Sequence, residues 1–181
     1  MDAFEQIISR LLWQESYWTT VGYKVNLPKE KKKELGKPTM PRPEIDILGY
    51  QANENLLLWV ECKSYLDSRG VIYQSLSGED KRGAMRFKVF TQPKYRKIVT
   101  EELIGQVIKS KLARPNPALQ YCLVTGKIAT EDDRVKLHHL FSENDWILYD
   151  ELWVKQGLER LSEIGYEDDI ATIVTKIYSR N

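Results

Sequence analysis

The chain is short of most features that would confine it to a special class. No apolar run approaches the ~20 residues needed to cross a bilayer, so neither a spanning helix nor a membrane partner is expected. Cysteine occurs twice, at Cys62 and Cys122, both inside strand-like runs. That argues against a disulfide framework and predicts isolated buried thiols. The stretch MDAFEQIISRLLWQE has no basic region followed by an apolar one, so a cytoplasmic protein without a secretion signal is expected. Glycine-rich phosphate loops and nucleophile elbows are absent, as are internal repeats and low-complexity segments. The only histidines, His138 and His139, are adjacent; on a helix they cannot face one way, and no zinc-ligand pattern surrounds them.

What is present is the composition of a folded protein. Of 181 residues, 42 % are hydrophobic and 10 % aromatic, enough for one domain with its own core. The net charge of +1 conceals an asymmetry. Residues 131–181 carry 6 Lys/Arg against 12 Asp/Glu, whereas residues 1–130 carry 21 against 14. The densest basic segment is KRGAMRFKVFTQPKYRK, 81–97, with seven basic residues and no acidic one. Its Phe87, Phe90 and Tyr95 are interleaved with the charges. Basic groups beside stacking surfaces suit a nucleic-acid groove, because phosphates and bases need different partners. A solvated loop is the plainer alternative.

The periodicity of Phe4, Ile7, Ile8, Leu11, Leu12 and Trp18 predicts an amphipathic helix over 3–18. A strand is expected at 21–27, then a charged, proline-punctuated connection. EIDILGY and NLLLWVECK read as two strands around a turn at 52–55. Residues 64–94 look irregular, and a connection of that length is usually functional or disordered. A helix over 95–112, a strand at 119–126, a helix over 131–142, the short strand DWILY and helices over 150–162 and 166–178 complete the chain. The last shows Tyr166, Ile170, Ile173, Val174 and Ile177 on one stripe, with acidic residues in its first turn. Tryptophans 13, 18, 59, 146 and 153 are read as core. Three meandering strands followed by a helical crossover predict a mixed-sheet α/β domain.

Charges sit within the two hairpin strands. Partners across a hairpin have a constant index sum, and a turn centred on Asn53-Glu54 makes that sum 107. Asp46 then lies directly opposite Glu61 on one sheet face, and Lys63 projects from the same face two residues on. Two carboxylates so close repel unless a cation or proton lies between them. A divalent cation such as Mg²⁺ needs only one or two carboxylates plus waters and phosphate. Lys63 would then orient or deprotonate a water, or neutralise charge building on phosphate. The alternative is a structural ion pair of Lys63 with Glu61 or Asp46 at a strand end.

Asp46, a hairpin, then Glu61-Cys62-Lys63 resembles the PD-(D/E)xK nuclease superfamily, the restriction-endonuclease-like and Holliday-junction-resolvase-like fold. The resemblance covers residues 3–126 and implies an αβββαβ core, leaving 127–181 as an acidic extension of strand and helices. The family's proline–aspartate dipeptide is stretched here to Pro43-Glu44-Ile45-Asp46, which makes Glu44 a lesser rival to Asp46. The resemblance implies a Mg²⁺- or Mn²⁺-dependent nuclease acting on DNA, with RNA as the alternative substrate. Asp46 and Glu61 would hold the metal by carboxylate and Cys62 by its backbone carbonyl, and Lys63 would be the catalytic lysine. A first-helix carboxylate often joins such sites; Glu5 or Glu15 would supply it, Glu5 being nearer the position relatives use. Gln106 matches a polar residue that some branches aim into the site. Arg42, Arg82, Arg86, Lys88, Lys94, Arg96 and Lys97 would grip the backbone, a homodimer being allowed. The rival reading is a catalytically silent module that binds nucleic acid or protein.

Overall fold

The computed structural model describes residues 2–165 and 167–179. In chain order the elements are α1 (Ala3–Gln14), β1 (Trp18–Lys24), α2 (Lys29–Glu34), β2 (Glu44–Gln51), β3 (Leu56–Lys63), α3 (Tyr73–Ser77), α4 (Lys81–Ala84) and α5 (Lys88–Thr91). There follow α6 (Pro93–Lys109), β4 (Ala118–Thr125), α7 (Glu131–Glu143), β5 (Ile147–Tyr149), α8 (Glu151–Glu163) and α9 (Ile170–Tyr178).

The strands form one mixed sheet in the order β1-β2-β3-β4-β5. β1, β2 and β3 meander antiparallel, while β3, β4 and β5 run parallel. The fold is therefore α/β, as the pattern of strands and crossover helix predicts. The hairpin register is that of the index sum, running from Gln51 with Leu56 to Ile47 with Val60. Asn55, with φ of +53°, supplies the left-handed residue of the turn.

Central strands alternate between two cores, as burial on both faces requires. Leu57, Trp59 and Leu123 face one side, packing with Phe87, Phe90, Ile98, Leu103, Leu137 and Phe141 from the α5–α7 layer. Leu58, Val60, Cys62, Cys122 and Val124 face the other, where α1 supplies Ile8, Leu11 and Leu12 and α8 supplies Val154 and Leu161. Both cysteines are free thiols, buried as expected. No helix among the described residues is long and apolar enough to cross a membrane.

Several boundaries differ from the sequence reading, each for a local reason. α1 stops at Gln14 because Ser16 adopts φ +66°, and Trp18 opens the first strand instead of closing the helix. α2 forms inside the charged connection, and residues 64–94 fold into three short helices. α6 starts earlier than expected because Pro93 suits the first helical turn. β5 keeps only three residues of DWILY. α9 starts at Ile170, capped by the Asp169 side chain; Tyr166 of the expected stripe lies outside the described residues. Trp59 is buried and Trp146 packs on Phe90 and Phe141, but Trp13 and Trp18 are exposed, contrary to the core reading.

Candidate active site

The hairpin ladder ends at Ile47–Val60, so the expected direct pairing of Asp46 with Glu61 falls one step beyond the paired residues. At this point the sheet changes character. Ile47 and Val21 face the α1 core, yet Ile45 and Tyr23, two residues away on each strand, face the other. The switch falls at Gly22, which adopts φ +66° opposite Asp46. That left-handed conformation favours glycine, and here it twists β1 and β2 away from β3. The opening is closed by a side chain: the Cys62 N–H donates to Asp46 Oδ2 at 2.7 Å. Asp46 thus stands in for the carbonyl that a continuing ladder would have offered.

Glu61 and Lys63 share the Trp59 face of β3. Lys63 Nζ lies 2.5 Å from Glu61 Oε1 and 3.1 Å from the Cys62 carbonyl, with both charged side chains 18 % exposed. The Phe87 ring lies 5.9 Å beneath the same ammonium. The ion pair that the sequence left as an alternative is therefore present, and it uses the carbonyl expected to bind metal.

Burial raises the pKa of Asp46, against the Cys62 N–H and the Lys63 charge, which lower it. Burial also raises that of Glu61; Lys63 opposes the shift and Asp46 adds to it. For Lys63 burial acts downward, but the charge and hydrogen bond of Glu61, with the charge of Asp46, outweigh it and leave the amine raised. At neutral pH Lys63 is a cation.

The other expected carboxylates are placed elsewhere. Glu44 is exposed and pairs with Lys24 at 3.5 Å, leaving Asp46 as the shielded acid. Glu5 accepts from the Asp2 N–H in the capping box of α1; burial, then Asp46 after the opposing hydrogen bond, lifts its pKa, so it stands within electrostatic reach of the site. Glu15 caps the far end of α1 and pairs with Arg160 at 2.9 Å, outside the site. Gln106 is not aimed at the carboxylates: it clamps Asn26, accepting from its N–H at 3.0 Å and donating to its carbonyl at 2.8 Å.

The basic residues divide. Arg42, Arg86 and Lys88 line a cleft of about 490 Å³ together with Lys37, Glu61 and Tyr95. Burial, helped by the Glu61 charge, pushes the Tyr95 hydroxyl up to about 12. Arg82 and Arg86, joined by Arg69, line a smaller cleft of about 210 Å³ beside Phe87. Arg69 comes from the irregular segment after β3, which carries no periodic or charge signal in the sequence. Lys94 lines a neighbouring cleft with Lys37 and Tyr95, and Lys97 is exposed on α6. Arg96 does not join them. Its guanidinium donates to the carbonyls of Val89 and Phe90 and stacks over Tyr121 and Trp146, so it braces α5 against α6. Phe87 and Phe90 are core residues rather than stacking surfaces for bases.

Comparison with family models, curated proteins and solved structures returned no match to this chain.

Among the described residues, no group of three or more His, Cys, Asp or Glu side chains is gathered as metal ligands. A two-carboxylate magnesium site asks for less. Asp46 Oδ2 and Glu61 Oε1 are engaged by protein donors; among the described residues, no protein donor reaches Asp46 Oδ1 or Glu61 Oε2. A carboxylate oxygen without a protein donor is the kind of group a hard cation takes as a ligand. Two shielded carboxylates and an ammonium thus lie within electrostatic reach of one another beside a cleft lined by basic side chains.

Proposed function

We propose that the chain is a metal-dependent nuclease of the PD-(D/E)xK kind, hydrolysing phosphodiester bonds in DNA. The observation that carries this reading is the gathering of Asp46, Glu61 and Lys63 at one opened sheet end, beside the cleft lined by Lys37, Arg42, Arg86 and Lys88. The order α1, β1–β3, α6, β4, with β3 and β4 parallel, supports a restriction-endonuclease-like core.

Asp46 and Glu61 would hold Mg²⁺ or Mn²⁺, with the Cys62 carbonyl, which also accepts from Lys63, as a further oxygen; the bound ion would supply charge neutralisation and a more acidic water. Glu61 offers Oε2 for this role while Oε1 keeps Lys63 in place. Because Lys63 is cationic, it orients the attacking water through its N–H groups and stabilises charge growing on phosphate, rather than accepting a proton. The cleft bases hold the flanking phosphates.

A second reading, a binding module without catalysis, is favoured by the Lys63–Glu61 pair, which occupies one oxygen of the carboxylate and the Cys62 carbonyl. Incubating the full chain with duplex, single-stranded and branched DNA and with RNA, in Mg²⁺, Mn²⁺ or EDTA, separates the two. Metal-dependent cutting of DNA is expected. Binding without cutting of any substrate in either metal would replace the nuclease with the module.

A further inference from the structure

The stripe of α9 faces outward. Ile170, Val174, Ile177 and Tyr178 recur at helical spacing and are exposed, whereas the buried residue of the helix is Thr172. The inner side is held by Ala171, which packs on the α1–α8 core, by Asp169, which pairs with Arg10, and by Lys176, whose Nζ donates to the Ser162 carbonyl at 3.0 Å and to that of Ile164. A helix docked in this way leaves its larger apolar side chains unpartnered.

Across a groove of about 720 Å³ from this ridge stands Trp13 of α1. Trp13 stacks on Trp18, with ring centroids 6.2 Å apart, and Trp18 begins β1, an edge strand of the sheet. Trp13, Trp18, Ile170, Val174, Ile177 and Tyr178 are between 54 and 83 % exposed. With aromatic side chains presenting 150–250 Å² each, they leave on the order of 800 Å² of apolar surface open. Ordinary monomers rarely show a patch above roughly 600 Å², and a stable interface buries about 800 Å² per partner.

We propose that this face joins two copies of the chain in a symmetric dimer, the α9 ridge of each seated in the α1–α9 groove of the other. A two-fold interface must be self-complementary, and here ridge and groove lie on one face. A two-fold axis also brings like charges together, so a charged face would repel its copy. Here the charge at the groove is small: Arg10 pairs with Glu167 and with Asp169, which leaves a single net negative charge on each copy. The inference is independent of the nuclease reading.

Sedimentation of the full chain at micromolar concentrations tests it. The wild type is expected at twice the chain mass, and Val174→Glu at the chain mass with an unchanged far-ultraviolet spectrum. If Val174→Glu does not fold, Ile177→Lys is judged by the same criterion. A monomeric wild type, or a dimer that persists in the folded variant, would overturn the proposal. So would a monomer that floats with phosphatidylcholine vesicles, which would make the face a lipid-binding one.

Discussion

Lys63 Nζ lies 2.5 Å from Glu61 Oε1, two residues back on the same strand and largely shielded from water. Within a strand, residues two apart share a face, so sequence spacing alone sets up this pair. Its consequences are electrostatic. Each charge lowers the cost of burying the other, and Asp46 adds a second negative charge nearby.

The first consequence is a pH-dependent stability deficit in Lys63→Ala. The folded pKa of Glu61 is raised, so its favourable contribution is present while it is protonated and is lost as pH rises through the folded value. Removing Lys63 removes the largest charge opposing that rise. Lys63→Ala is expected to approach wild-type stability at acid pH, where Glu61 is protonated, and to fall progressively behind as pH rises through the folded value. At the upper end the loss approaches the 3–5 kcal/mol, roughly, of a broken buried pair. Urea melts across that range check it; a deficit independent of pH would show that burial of Glu61 is not the cause.

A gentler substitution isolates chemistry. Lys63→Gln keeps a donor and most of the volume but removes the charge. If Lys63 acts on the developing phosphate charge, cleavage falls by at least ~100-fold while DNA affinity in EDTA changes little. Single-turnover cleavage and fluorescence titration of one oligonucleotide report both quantities. Equal losses in affinity and rate would assign Lys63 to binding.

The cleft bases differ from Arg96 in what they touch. Replacing Arg42, Arg86 and Lys88 together is expected to lower the salt slope of DNA binding by about 0.9 for each phosphate contact removed. Arg96→Ala, which strips two carbonyl bonds and two aromatic faces, is expected to lower the melting temperature and leave the slope as it was. Titrations at several salt concentrations, with melts on the same proteins, separate the two roles. A slope unchanged in the triple variant would mean that DNA lies elsewhere.

Gly126 closes the site from β4. Its N–H donates to the Lys63 carbonyl at 2.9 Å, and a Cβ there would stand 2.3 Å from the Ser64 carbonyl oxygen. Backbone has to move to admit even a methyl group. Gly126→Ala is expected to cost about 1–3 kcal/mol and to displace Lys63. A thermal melt measures the first effect; the amide spectrum of residues 61–65 measures the second. An unchanged melt would mean that the Ser64 carbonyl yields freely.

The hairpin was legible in the sequence because strand geometry has a period of two and a tight turn fixes one index sum. Glu61 and Lys63 could be placed on one face of their strand from spacing alone, and the strand expected at 119–126 forms over Ala118–Thr125, parallel to β3 as the crossover predicts. Those are local rules, and local rules survive folding. The twist at Gly22, by contrast, depends on a left-handed φ that a lone glycine does not announce. The bond from the Cys62 N–H to Asp46 exists only because that twist opens the ladder.

Composition proved least informative where one segment serves two environments. Phe87, Arg96 and Arg82 lie within fifteen residues, yet tertiary packing sends the first to the core, the second onto Tyr121 and Trp146, and the third to a cleft. The stripe of α9 makes the same point. Its periodicity was written in the sequence, but which side it turns to the protein was decided by Ala171 on the α1–α8 core, Asp169 paired with Arg10, and Lys176 bonded to the C-terminal end of α8. Periodicity sets which residues share a face; only the partner surface sets which way that face points.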